Sequence, residues 1–283
     1  LRPAATLIAG LAELADHYET LLCDVWGVVH DGVAAFPEAC AALTRWKAGV
    51  GPVILISNAP RPEAAVARQL EGLGAPISAW SAIVTSGDVC RDLLAERAPG
   101  PVWRIGPPKD DPLFEGLGLN FVGPEEARFI ACSGPFDEET ETPEDYRAAF
   151  VAAVRRGLPM ICANPDLVVQ RGARLIYCAG ALAALYRELG GEVIEAGKPY
   201  APIYDLGRQR AAELGGGESI LAIGDAVATD LAGARSQGLD TLFVADGIHR
   251  AELLNPDGGV DLAALTRLAG EPAPRWAMRA LVW

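Results

Sequence analysis

No apolar run in the 283 residues approaches the roughly 20 needed to span a bilayer as a helix. Half the chain is hydrophobic, yet the longest candidates, "GVGPVILISNAP" and "LAALTRLAG", are cut by Gly, Pro or charge. A membrane partner is therefore not expected. The opening "LRPAATLIAGLAELADHYE" meets acidic residues too early for the apolar core of a secretory signal, so none is expected. Basic charge is also scarce, with 24 Lys and Arg against 37 Asp and Glu and a formal net charge of −13. Phosphate backbones are gripped mainly through Lys and Arg, so a nucleic-acid partner is excluded from the expectation. A small phosphate ester is not excluded, because it needs only one local cation or metal. The densest basic pair, Arg155 and Arg156, reads as a solvated helix end.

Paired cysteine motifs are missing. The six cysteines stand at 23, 40, 90, 132, 162 and 178 with no CxxC spacing, which removes a zinc site. Most lie in apolar surroundings ("LLCDV", "FIACSG", "MICAN"), where a thiol acts as a small core residue. A reduced, cytoplasmic chain is expected. Histidine is rare too: His17 reads as a surface residue, His249 as a helix start, and His30 lies on a loop after the first strong strand.

What is present is alternation of strand and helix. "TLLCDV", "GPVILISN", "SILAIGD" and "DTLFVADG" read as short buried strands. "FPEACAALTRWKAG", "RPEAAVARQLEGLG", "DVCRDLLAERAPG", "APIYDLGRQRAAELG" and "ATDLAGARSQG" read as helices. This pattern predicts a mostly parallel α/β sheet covered on both faces. Between Pro101 and Ala196 a second alternating set, bounded by "APGPV" and "GPPKDDP", reads as a smaller inserted α/β module. The expected division is 1–100 and 197–283 for the larger domain, with 101–196 as the insert. No internal repeat or low-complexity run is present.

Three strand ends carry chemistry. Asp24 follows "TLLC", Ser57 and Asn58 follow "VILI", and Asp225 follows "LAIG" with Asp230 five residues later. Strand carboxyl ends of an open parallel sheet share one rim, where ligands bind. Taken singly, each Asp reads as a helix cap or turn former, "ISNAP" as an ordinary loop, and Lys198 in "EAGKPY" as a surface lysine.

In this order, Asp24, Ser57, Lys198 and Asp225 with Asp230 resemble the four-motif signature of the haloacid dehalogenase-like (HAD) hydrolases. "DVWGVVHDG", "ISNAPR", "ANPD", "GALAALYRELGGE", "GKPYAPIYD" and "GDAVATDLAGARSQGLDT" resemble its class IIA branch, the NagD-type phosphatases, over nearly the whole chain. The resemblance implies a Rossmann-like core interrupted by a C2-type cap, and Mg²⁺-dependent hydrolysis of a small phosphomonoester, a sugar phosphate or nucleotide-like compound. It implies that Asp24 is the nucleophile, forming an aspartyl-phosphate. It implies further that Asp24, the Trp26 carbonyl, Asp225 and, through metal-bound water, Asp230 would hold the metal. On the same resemblance the Ser57 hydroxyl and Asn58 N–H would hold phosphoryl oxygens, and Lys198 would neutralise charge.

Trp26 departs from the family pattern, which places there an Asp that protonates the leaving alcohol. Three explanations stand open: a substrate that needs no acid, a substitute among His30, Asp31 and Asp166, or a protein that binds a phosphorylated ligand with little or no turnover. The retained carboxylates and lysine favour the hydrolase. A C2-type cap roofs the site and favours small substrates, with Asn164 and Asp166 as candidate contacts, or else members of an Asx turn before Pro165. Carbon–phosphorus cleavage would want a cap lysine. The insert has only Lys109, in a Pro-rich turn. Caps of this branch often mediate dimerisation, so a homodimer is compatible with the resemblance.

Overall fold

The computed structural model describes residues 5–171 and 174–283. Thirteen strands are found among them. Seven form one sheet: β1 (Thr6–Leu7), β2 (Thr20–Cys23), β3 (Val53–Ser57), β4 (Ala82–Thr85), β11 (Ile220–Gly224), β12 (Asp240–Val244) and β13 (Trp276–Met278). Their spatial order is β1-β13-β12-β11-β2-β3-β4. The pairings β2–β3, β2–β11, β11–β12, β12–β13 and β13–β1 are parallel, as the alternation predicted. Every residue of β2 and β3 is buried, which explains their continuous apolar sequence.

The helices are α1 (Pro37–Gly49), α2 (Glu63–Gly72), α3 (Ser86–Ala95), α4 (Arg147–Arg155), α5 (Ala179–Glu188), α6 (Ala201–Glu213), α7 (Ala232–Ser236), α8 (Arg250–Leu253) and α9 (Leu262–Ala269). Pro37 opens α1, where its missing N–H costs nothing. That helix buries the stripe Ala39, Cys40, Ala42, Leu43 and Trp46. A π-helical turn, Val227–Leu231, leads directly into α7.

A second sheet has the order β10-β7-β6-β5, from β5 (Val102–Ile105), β6 (Phe129–Cys132), β7 (Met160–Cys162) and β10 (Val193–Glu195), all parallel. Successive residues point to opposite faces. Ile130 and Cys132 pack with Phe150, Leu182 and Tyr186, whereas Ala131 packs with Cys90 and Leu94 of α3. Strands β8 (Val168–Arg171) and β9 (Arg174–Tyr177) form a separate antiparallel pair.

The chain falls into two compact units. One comprises Leu1–Ser57, Ala67–Val84 and Tyr204–Trp283; the other comprises Asn58–Val66 and Thr85–Ile203. The four strands of the second sheet lie inside the expected insert, 101–196. The compact unit around them is larger than that, because α3 buries Cys90 and Leu94 against Val102, Phe129 and Ile161.

Candidate active site

Asp24 leaves the end of β2, and its N–H donates to the Ile223 carbonyl of β11 at 2.8 Å. The pairing sets Cys23 opposite Ile223, so Asp225 falls just beyond the end of the neighbouring strand. Ser57 ends β3, on the other side of β2. Three adjacent parallel strands thus carry Asp24, Ser57 and Asp225 to one rim of the sheet.

Asp230 comes from the π-helical turn after β11, where its Oδ2 accepts the Ala226 N–H at 3.0 Å. One carboxylate oxygen from each of Asp24, Asp225 and Asp230 lies within 4.8 Å of the others. All three residues are buried, at 7, 4 and 5% exposure. At an effective dielectric constant of about 20, each such pair of charges repels by roughly 3 kcal/mol. A cation removes that cost.

The backbone closes tightly around this cluster. A Cβ at Gly27, whose φ is +87°, would lie 2.1 Å from Asp225 Oδ2, and one at Gly247 would lie 2.0 Å from the same atom. Only glycine fits at either place. The Ile248 N–H donates to Asp225 Oδ2 at 2.7 Å, which orients the carboxylate. Gly224 stands equally close to Asp230, 2.3 Å from its Cβ by the same measure. Sequence reasoning picked out the aspartates and passed over Gly247 and Ile248. "VADGI" carries the signal in the glycine alone. Hard oxygen donors in a glycine-lined cradle fit Mg²⁺.

Trp26 follows in the loop that starts at Val25. Its half-buried indole meets the His30 ring edge-on, with centroids 4.9 Å apart, and lies against Gly32, where a Cβ would fall 2.4 Å from the ring. His30 is buried, and its Nδ1 accepts the Gly32 N–H at 2.8 Å. Asp31 accepts from the N–H groups of Ala34 and Val33 at 2.9 and 2.8 Å, and these bonds hold its carboxyl below the usual range. Such a carboxyl is a poor proton donor near neutral pH. His249 caps α8, its Nε2 accepts from Val227 N–H at 3.4 Å, and burial lowers its pKa.

The second unit holds the other four predicted residues. Asn58, Asn164 and Lys198 are all buried. The Asn58 carboxamide donates from Nδ2 to the Lys198 carbonyl at 3.1 Å, and its Oδ1 accepts the Lys198 N–H at 2.7 Å. Nδ2 also donates to Asp166 Oδ1 at 2.9 Å. The Asp166 N–H donates to Asn164 Oδ1 at 3.1 Å, which is the Asx turn around Pro165. Ser86, unremarked in the sequence, donates from Oγ to the carbonyls of Asn58 and Ala163 at 2.8 and 2.5 Å. Lys109 pairs with Glu138 at the surface.

A family model described as haloacid dehalogenase-like hydrolase matches residues 21–120, and a HAD-hydrolase-like model matches residues 195–264. A solved haloacid dehalogenase-like hydrolase from Brucella suis is 44% identical, with a TM-score of 0.86 over 96% of this chain and 99% of that one. The 5'-nucleotidase YutF of Bacillus subtilis is 27% identical over 85% of this chain and 92% of that protein. The D-glycerol 3-phosphate phosphatase of Mycobacterium tuberculosis is 27% identical over 85% of this chain and 67% of that protein. A glycerol phosphate phosphatase from the same organism, solved with magnesium, is 25% identical with a TM-score of 0.62 over 89% of this chain and 78% of that one.

Proposed function

The chain belongs to the haloacid dehalogenase-like hydrolases and is of the phosphatase type, and from that premise we propose that it hydrolyses small phosphomonoesters through an aspartyl-phosphate on Asp24. The cluster of Asp24, Asp225 and Asp230 at one sheet rim carries this reading, because three buried carboxylates so close together are costly without a cation. Asp24, Asp225, Asp230 and the Trp26 carbonyl are the groups that would hold Mg²⁺. Bound there, the ion supplies positive charge that lets a carboxylate approach a phosphate dianion.

An Asp24 carboxylate oxygen attacks phosphorus as the ester oxygen departs with the bonding pair. Water then attacks the aspartyl-phosphate, releasing phosphate and restoring the carboxylate. Ser57 Oγ and the Asn58 N–H hold the phosphoryl oxygens. The Lys198 ammonium neutralises charge on the nucleophile and in the transition state. Binding of the phosphoryl group and its orientation thus rest on groups this chain keeps.

Protonation of the leaving group does not. Trp26 has no acidic proton to give, and general acid–base catalysis is typically worth about 10²- to 10⁴-fold. Substrates whose leaving group needs no protonation, or that carry their own proton, are therefore favoured. Sugar phosphates and nucleotide-like monoesters form the substrate class to test, since the relatives above are a 5'-nucleotidase and a glycerol phosphate phosphatase. Six free, buried cysteines suit a reducing compartment, so a cytoplasmic location is part of the proposal.

The experiment is Mg²⁺-dependent phosphate release from a panel of small phosphomonoesters, comparing wild type with Asp24→Asn. Release that disappears in Asp24→Asn and on chelation is expected. Trp26 motivates a second reading, a protein that binds a phosphorylated ligand with little turnover. That reading takes over when wild type binds the esters and releases no phosphate from any of them.

A further inference from the structure

The Asn58 side chain is more deeply engaged than a phosphate-binding loop requires. Its carboxamide meets the Lys198 peptide at two points, accepting the N–H at 2.7 Å and donating to the carbonyl at 3.1 Å. The two residues lie 140 positions apart, and both are buried, at 3% exposure each. A side-chain amide paired in this way replaces a neighbouring backbone strand. It holds the Lys198 peptide in position and orientation, not merely in distance.

The carboxamide is itself fixed from behind. Its remaining Nδ2 hydrogen goes to Asp166 Oδ1, and Asp166 is tied by its own N–H to Asn164 Oδ1. Ser86 Oγ holds the backbone carbonyl of Asn58 and, through the Ala163 carbonyl, reaches the end of β7. There is no slack on the other side. A Cβ at Gly197 would lie 2.3 Å from Asn58 Oδ1 and 2.9 Å from the Ser86 Cβ. A Cβ at Gly180 would lie 2.1 Å from the Pro165 carbonyl oxygen. Glycine at 197 and 180 lets the three segments close up.

We propose that Asn58, its carboxamide braced by Asp166 and Asn164 and its backbone by Ser86, is the positioning residue for Lys198. This rests on the reading of Lys198 as the cation that neutralises the phosphoryl group. It gives Asn58 two separable tasks: the backbone N–H serves phosphate, and the side chain serves Lys198. It also gives Asn164 and Asp166 a role as braces.

The side-chain task is tested by Asn58→Ala, which keeps the backbone N–H, in the presence and absence of Lys198→Ala. Misplacement of a catalytic group by about 1 Å costs about 10²-fold. Asn58→Ala is accordingly expected to lower kcat by about 10- to 100-fold with a much smaller change in KM. In the Lys198→Ala background the same substitution should cost less than about 3-fold, because the group it positions is gone. A loss of equal size in both backgrounds overturns the proposal. Asn58→Asp is similar in volume but turns a carboxylate oxygen toward Asp166 Oδ1 and the Lys198 carbonyl in place of Nδ2, so it should lose at least as much activity as Asn58→Ala and serves if Asn58→Ala fails to fold. A folded Asp variant with the activity of wild type contradicts the clamp.

Hydrogen exchange of the Lys198 amide, read by NMR, separates this proposal from the hydrolase reading. Exchange accelerated in Asn58→Ala supports the clamp even in a protein that turns over no ester. Unchanged exchange overturns it even where wild type is an active phosphatase.

Discussion

Asp24 and Trp26 stand two residues apart on one loop, and the contrast between them sets the chemistry. Asp24 shares a glycine-lined cradle with two further carboxylates, while the Trp26 indole is wedged between His30 and the backbone of Gly32. Asp31 is no ready substitute acid, because backbone N–H donors stabilise its ionised form. Trp26→Asp is therefore predicted to raise turnover of alkyl phosphates by about 10²-fold or more, the usual span of general acid catalysis. Aryl phosphates with good leaving groups should gain far less. Steady-state kinetics on both ester types checks this, and a uniform gain, or none, in a folded variant contradicts it.

At the scale of elements, α3 shows how a local signal supports a tertiary arrangement. Thr85 and Asp88 form a reciprocal capping box, with Asp88 N–H donating to Thr85 Oγ1 at 2.9 Å and Thr85 N–H donating to Asp88 Oδ2 at 3.2 Å. Asp88 Oδ1 also accepts the Glu63 N–H at 3.2 Å, which ties the start of α2 to the same carboxylate. Thr85→Ala should destabilise the protein by about 1 kcal/mol, lowering Tm by about 2–4 °C. Thermal unfolding followed by circular dichroism reads the shift, and an unchanged Tm would contradict the cap. The long buried strands and most of the helices were legible in the sequence, since "VILIS" and "TLLC" are buried on both faces and look so. The short strands β1 and β13 were not, because two or three residues of modest hydropathy carry no period. Strand β8 leaves "VVQR" half-buried at best and β9 exposes three residues of "RLIY", so neither shows a buried run to read. Asp24, Asp225 and Asp230 were picked out as a set by their order along the chain and the resemblance that order carries, since each taken singly reads as a cap or turn former. The pairing of Asn58 with Lys198 was not, because nothing in a single sequence links a carboxamide to a peptide 140 residues away.

At the scale of the molecule, the proposed site residues fall in two compact units. One carries the carboxylate cluster and Ser57, the other Asn58 and Lys198. Among the described residues no helix is long and apolar enough to cross a membrane. The net charge of −13 repels anionic ligands at long range, so recognition of a phosphate ester falls to local groups. The central claim is that phosphate passes through Asp24, and the most direct test is to trap it there. Wild type mixed with Mg²⁺ and its best ester from the panel, quenched in acid during turnover and digested, should yield a phosphoryl adduct on the peptide at Asp24. The adduct should be absent from Asp24→Asn and from protein treated with chelator. Phosphate release by wild type with the adduct on another residue, or release that persists in Asp24→Asn, would contradict the account.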